Sequence, residues 1–304
     1  MRYAVLGATG FVGRALVPAL AETGDVVAAS RGGDAPRSPR VRGAAVDVGR
    51  APSVRLALEG ADVVYYLVHS LGSPGFAELD RRAAEVVARE AERAGVSQIV
   101  YLGGLGDDDP DLSPHLRSRL ETARALASGS VPVTTLRAAV VVGRGSAAFE
   151  TIVALVDRLP AMVAPRWIST PTQPIALDDA ITYLTGVAGL PEALGESFDV
   201  GGPDVLTYRE MIEVVARLRG RRPLIVEVPV LSPRLSSYWL HLVTPVRASV
   251  ARPLVEGLRT PTTVRDARIR ALLPFALTPF EGAARQALAP APRPAGAGAA
   301  GTVR

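Results

Sequence analysis

The stretch Gly7-Ala8-Thr9-Gly10-Phe11-Val12-Gly13 decides the fold of this chain. It follows an apolar run, Arg2 to Leu6, and opens a helical pattern from Phe11 to Glu22. Glycine at Gly7 permits a tight turn, at Gly10 it lets the backbone approach a diphosphate, and at Gly13 it lets the helix lie close to a sheet. Free amides at the helix start, with the helix dipole behind them, then face an anion. Such a loop is common in ordinary turns, but between a strand and a helix it predicts a dinucleotide site.

Outward from this loop, short β-branched runs alternate with helical spacing. Val26 to Ala29, Ala44 to Val46, Val63 to Leu67, Gln98 to Leu102 and Val133 to Arg137 read as strands; Val54 to Leu58, Phe76 to Arg93 and Leu116 to Leu126 read as helices. This order predicts a doubly wound parallel sheet, a Rossmann-like α/β fold, with a smaller C-terminal substrate subdomain. In that second half, helices are expected at Ala148 to Arg158, Leu177 to Ala188 and Thr207 to Leu218, the last opened by a Thr207–Glu210 capping box. Ser197 to Val200 and Leu224 to Val228 are strand candidates, Trp167 to Thr170 enters a loop, and Leu231 to Leu258, punctuated by proline, should form broken helices. The expected division is 1–145 for the nucleotide-binding domain, 146–287 for the substrate or partner subdomain, with helix 177–189 packing back on the first, and 288–304 for a disordered tail.

Composition removes several chemistries. The 304 residues include 34 Lys plus Arg, and every one is arginine; cysteine is absent and histidine occurs three times, as His69, His115 and His241. Schiff-base catalysis, a Walker lysine, thiol nucleophiles and thiolate metal sites are therefore excluded. No metal site is expected, and the run Asp107-Asp108-Asp109 before Pro110 reads as a solvated turn. A net charge of +4 without basic runs interleaved by aromatics argues against nucleic acid. Apolar runs are too short for a membrane span and no leader is evident, so a cytoplasmic protein is expected.

At the end of the second strand, where an acid would accept the ribose hydroxyls of NAD, stands Ser30-Arg31-Gly32. Arg31 has two readings: a fork for a 2′-phosphate, which favours NADP over NAD, or a solvated surface arginine. Asp34 lies too far along the loop to replace the acid.

The glycine spacing, Asp47-Val48 after the third strand and Val63 to Ser70 after the fourth together resemble the short-chain dehydrogenase/reductase superfamily, in its atypical NmrA-like NAD(P)H-binding branch. Thr135 to Ala138, Gln173 to Asp179 and Phe198 to Pro203 are similar to its later landmarks, so the resemblance covers about residues 1 to 220. It implies cofactor contacts from Gly7, Thr9, Gly10, Phe11, Val12, Gly13, Ser30 and Arg31, adenine contacts from Asp47 and Val48, and nicotinamide-ribose contacts from Leu67 and Val68.

The family's catalytic pattern fails here. Where Tyr-x-x-Ser-Lys would stand, the chain has His115-Leu116-Arg117-Ser118-Arg119, and Gly103-Gly104 occupies the position of the catalytic serine. His115 and Arg119 share a helix face as a substitute pair, or are surface groups beyond the Ser113-Pro114 cap. Tyr66 and His69 end the fourth strand beside the expected nicotinamide position, with Tyr65 and Tyr66 on opposite sheet faces. Arg137 faces the cofactor or ties neighbouring loops, and Arg144 stands near the domain junction. Trp167, Tyr238 and Trp239 pack the core or wall a ligand.

Two functions fit these residues best, with a structural subunit whose fold a bound nucleotide stabilises as a third. One is an NADPH-dependent oxidoreductase acting on a small quinone-like or enone substrate. The other is a non-enzymatic NADP(H)-responsive redox sensor that regulates a protein partner.

Overall fold

Valine, alanine and tyrosine dominate the short runs that begin at Arg2, Asp25 and Val63, and strands of this composition are stable when both sheet faces are covered. The computed structural model describes residues 1–71, 73–106, 112–228 and 260–290. In chain order, β1 (Arg2–Leu6), α1 (Phe11–Ala21), β2 (Asp25–Ser30), β3 (Val41–Ala45), α2 (Ala51–Leu58), β4 (Val63–Tyr66), α3 (Phe76–Arg93), β5 (Gln98–Gly104), α4 (Pro114–Leu126) and β6 (Val133–Ala138) form the first half. These helices and strands fall where the sequence pattern places them, with ends shifted by a few residues.

The second half supplies β7 (Val141–Val142), α5 (Ala147–Arg158), β8 (Ala161–Pro165), β9 (Pro171–Thr172), β10 (Ile175–Ala176), α6 (Leu177–Gly186), β11 (Ser197–Val200), β12 (Leu206–Thr207), α7 (Tyr208–Leu218) and β13 (Leu224–Val228). The Thr207–Glu210 capping box is formed, with the Glu210 amide donating to Thr207 Oγ1 at 3.2 Å and the Thr207 amide donating to Glu210 Oε2 at 2.7 Å. Trp167 falls in a 3₁₀ turn, Arg166–Ser169. Beyond the sequence pattern lie strand β8, bracketed by Pro160 and Pro165, the two-residue strands β7, β9, β10 and β12, and the helices Arg268–Leu272 and Phe280–Leu288, the last of which ends inside the expected tail 288–304. Asp107 to Asp109, the segment Leu231 to Leu258 with Tyr238, Trp239 and His241, and residues 291–304 lie outside the described residues.

The main sheet has seven strands in the order β11-β6-β5-β4-β1-β2-β3, and every pairing is parallel. Strand order reverses between β1 and β4, opening the crevice where ligands bind in such sheets. Alternation sends Tyr3, Val5 and Tyr65 into one core, against α1 and α6, and Ala4, Leu6 and Tyr66 into another, against α2, α3 and the end of α4. A third core joins α5, β8, α7 and Phe280–Leu288. Strand β11 extends the main sheet beside β6, so the 146–287 stretch contributes both to this sheet and to the third core.

The chain returns to the sheet through residues 260–290. Thr172 and Thr262 share a 2.8 Å hydroxyl contact, and Gln173 accepts from the Val264 amide at 2.9 Å. Asp199 accepts from the Arg265 and Asp266 amides, Asp179 from Thr278, and Asp204 from the Phe280 amide. Among the described residues no helix is long and apolar enough to cross a membrane.

Candidate cofactor and substrate site

Gly7 adopts a φ of +93°, a region other residues avoid, and a Cβ there would stand 2.9 Å from the Leu67 carbonyl oxygen. The β4 end therefore closes directly on the loop. Gly7 and Ala8 amides both donate to Ala29 O at 3.0 Å, and the Gly10 amide donates to Gly7 O at 3.0 Å. The amides of Thr9, Phe11, Val12 and Gly13 have no acceptor among the described residues, and the first turn of α1 holds no acid. A Cβ on Gly13 would come within 2.3 Å of Gly7 O. Unused donors at a helix start, reached across exposed Thr9 and Gly10, fit a diphosphate.

The β2 end continues the cradle. Ser30 is buried and its Oγ accepts from the Gly33 amide at 3.0 Å, which shapes the turn carrying Arg31. Arg31 is exposed and makes no hydrogen bond or ion pair among the described residues. Asp47 is exposed; its Oδ1 accepts from the Gly49 amide at 3.0 Å, and Val48 packs half-buried beside it. Leu67 and Val68 are half-buried on opposite sheet faces, with the Leu67 amide bonded to Leu6 O at 2.9 Å. These positions describe one continuous edge of the sheet.

Along that edge, the ends of β4 and β5 meet the start of α4. Ser113 caps α4 by accepting from the Leu116 amide at 3.2 Å, as its sequence predicts. His115, however, is half-buried, not a solvated surface group. Burial first, then Arg119 and His69, lower its pKa to about 3. His69 keeps an exposed edge, yet the atoms packed around its imidazole and the Arg119 charge lower it to about 4. Neither imidazole carries a proton to give at neutral pH.

Arg119 donates to the Leu102 carbonyl and stands 5.0 Å over the Tyr101 ring, whose hydroxyl donates to Arg119 O at 3.0 Å. Gly104 lies under it, and a Cβ there would meet Leu116 Cδ2 at 3.1 Å. Tyr66 is fully buried, its hydroxyl has no partner among the described residues, and burial pushes its pKa upward. Tyr65, on the opposite face, donates to Leu184 O at 3.0 Å and serves packing. His115, Arg119, Tyr66 and His69 thus share one neighbourhood.

One residue of this neighbourhood, Asp80, escaped the sequence reading, and Ser118, inside the His115 to Arg119 run, has no role of its own in that reading. Asp80 of α3 is 3% exposed and accepts from the Ser70 amide at 2.7 Å; burial raises its pKa, while Ser70, Arg119 and Ser118 pull it down. Ser118 Oγ is buried without a formed hydrogen bond among the described residues, although it lies near enough to influence Asp80. Asp80 had a signal: it occupies the buried stripe of α3 with Ala83, Ala84, Val87 and Ala91.

Other candidates have structural partners. Arg137 forms an ion pair with Asp199 at 2.6 Å, tying β6 to β11, which favours the second of its two readings. Arg144 donates to the Ala289 carbonyl. No group of acids and histidines among the described residues could hold a metal.

Residues 7–143 match the family of NAD(P)H-binding domains. Over 230 residues the chain is 29% identical to the (4-alkanoyl-5-oxo-2,5-dihydrofuran-3-yl)methyl phosphate reductase of Streptomyces griseus, covering 71% of this chain and 73% of that protein. It is 26% identical over 242 residues to NADH dehydrogenase (ubiquinone) 1 alpha subcomplex subunit 9, mitochondrial, of Arabidopsis thaliana, covering 74% of this chain but 60% of the length of that relative. The fold is similar to triphenylmethane reductase of Citrobacter sp. complexed with NADP(H), with a TM-score of 0.72, 19% identity and coverage of 94% of this chain and 100% of that one.

Proposed function

We propose that the chain, whose residues 7–143 match the family of NAD(P)H-binding domains and whose sequence resembles the atypical, NmrA-like short-chain dehydrogenase/reductases, is an NADPH-dependent reductase of a quinone-like or enone substrate. The observation that carries this reading is a fully prepared cofactor cradle beside a site without a ready proton. The Phe11, Val12 and Gly13 amides bind the diphosphate, and Arg31 holds the 2′-phosphate and so selects NADP over NAD. Asp47 and Val48 receive adenine, and Leu67 and Val68 line the nicotinamide ribose. The bound cofactor supplies the hydride.

At the acceptor end, Arg119 stabilises charge developing on oxygen. Neutral His115 donates a hydrogen bond without surrendering a proton, and Tyr66, with a raised pKa, remains a phenol. A carbonyl that becomes an alkoxide needs an acid in the transition state, whereas a quinone or enone spreads the incoming charge and takes its proton later from solvent. The Streptomyces relative, named as a reductase, supports this class. Stopped-flow mixing of protein and NADPH with a panel of quinones and enals tests it: saturable NADPH consumption is expected, and a rate equal to the protein-free background rejects it.

A second reading has its own support in the buried, proton-poor groups and in the Arabidopsis relative, which is named as a subunit. In it the chain is a non-enzymatic NADP(H)-responsive sensor, and the nucleotide alters its affinity for a protein. Partner capture with and without NADPH separates this from the first; equal capture removes it.

A further inference from the structure

We infer that the acceptor end of the cleft takes a substrate bearing an anionic group, a carboxylate or a phosphate, held by Arg119 with His69 and His115 as neutral hydrogen-bond donors. The inference builds on the reductase reading of the same site. It begins with a charge that lacks its counterpart. Arg81, Arg137 and Arg209, the other half-buried arginines among the described residues, each reach a carboxylate: Glu78 and Glu85, Asp199, and Glu213 and Glu227 respectively. Arg119 reaches none among the described residues. Its protein contacts are a neutral carbonyl, Leu102 O, and the face of Tyr101.

A partly desolvated guanidinium with one acceptor leaves most of its donors unused, and retaining that charge is costly unless something completes it. Asp80, an acid that feels the Arg119 charge, is engaged by the Ser70 amide and forms no ion pair with Arg119. Desolvation first, and the Arg119 charge second, disfavour the protonated form of both imidazoles, so they reinforce an anion through N–H groups and do not compete with Arg119 as cations. The position suits a substrate. Arg119 and Leu116 lie against Gly104 at the β5 end, and a Cβ on Gly106 just beyond would meet Thr260 Cγ2 at 3.2 Å and Thr262 Cγ2 at 3.8 Å, so the returning segment borders this position. The diphosphate and 2′-phosphate of the cofactor belong at β1 and β2, across the sheet edge.

Calorimetric titration of the full chain loaded with NADP⁺ tests this with benzoate, phenyl phosphate and the neutral isostere benzamide. At least one anion is expected to bind 10-fold or more tightly than benzamide, a ratio that Arg119→Gln abolishes. Preference for benzoate identifies a carboxylate and preference for phenyl phosphate a phosphate. If Arg119→Gln does not fold, proton uptake by the parent protein decides. An anion set beside His69 and His115 raises their pKa values, so near pH 5 binding of the preferred anion takes up protons, read from the heat in two buffers, and benzamide takes up none. Equal affinity for anions and benzamide, or anion binding without proton uptake, overturns the proposal. Anion binding without any quinone or enone turnover would instead reject the reductase reading and leave the anion site standing.

Discussion

At the residue scale, the discriminating groups are those whose charge the fold leaves exposed or suppresses. Arg31 is exposed and has no partner among the described residues, so removing it costs little to the fold and acts on the ligand. Arg31→Ala is expected to weaken NADPH by roughly 1.5 to 3 kcal/mol, the scale of a charged hydrogen bond, and to leave NADH unchanged. Calorimetric titration with both nucleotides checks this; equal losses would mean that Arg31 does not read the phosphate. His69 and His115 make the opposite kind of prediction, about the fold. Their folded pKa values of about 4 and about 3 lie below the unfolded value, so the unfolded chain binds more protons between those values and about 6.5. Stability should therefore fall as pH drops from 6.5 toward 4, and level off only below the folded values. His115→Gln should flatten that slope in urea melts taken across the window. An unchanged slope would mean that His115 titrates normally in the folded protein.

At the element scale, α1 approaches the glycine loop so closely that its third residue has no room for a methyl group. Gly13→Ala places a Cβ within 2.3 Å of Gly7 O, a backbone atom that cannot swing aside. The helix start must retreat, at an expected cost of about 1 to 3 kcal/mol and with weaker NADPH binding, because the donors of Phe11 and Val12 move with it. Urea midpoints and nucleotide titration on the same variant measure both effects; loss of neither would contradict the packing. This glycine was legible because its spacing reports a backbone constraint. The same holds for α3, whose predicted span, Phe76 to Arg93, is the observed one, and for the Thr207 cap, where local chemistry sets the boundary. Asp80 was harder to read: a buried acid is informative only once the Ser70 amide and Arg119 are known to face it. Strand β8 was missed for a related reason. Its pairing with β13 is long-range, while the prolines at its edges are local and argue against a strand.

At the scale of the whole molecule, the parallel sheet and both of its covering layers could be read from alternation, but the return of the C-terminal segment could not. It depends on buried acids that accept from backbone amides distant in sequence, and no periodicity records such bonds. Asp199 is the most connected of them. It is 3% exposed, pairs with Arg137 at 2.6 Å, and accepts from the Arg265 and Asp266 amides at 2.9 and 3.1 Å. Asp199→Ala removes this carboxylate from Arg137 and deprives two amides of their acceptor, so a loss of about 3 to 5 kcal/mol is expected. Asp199→Asn keeps an acceptor for the amides and should cost less. Asp178→Ala, at an exposed acid in the same half of the chain, should cost under about 1 kcal/mol. Urea denaturation ranks the three variants, and limited proteolysis locates the damage: cleavage within 260–290 should precede cleavage of the sheet in Asp199→Ala. If the sheet were cut first, Asp199 would be holding β11 to β6 and not the returning segment, and the wall at Thr260 and Thr262 would have to be secured by Gln173 and Asp179 instead.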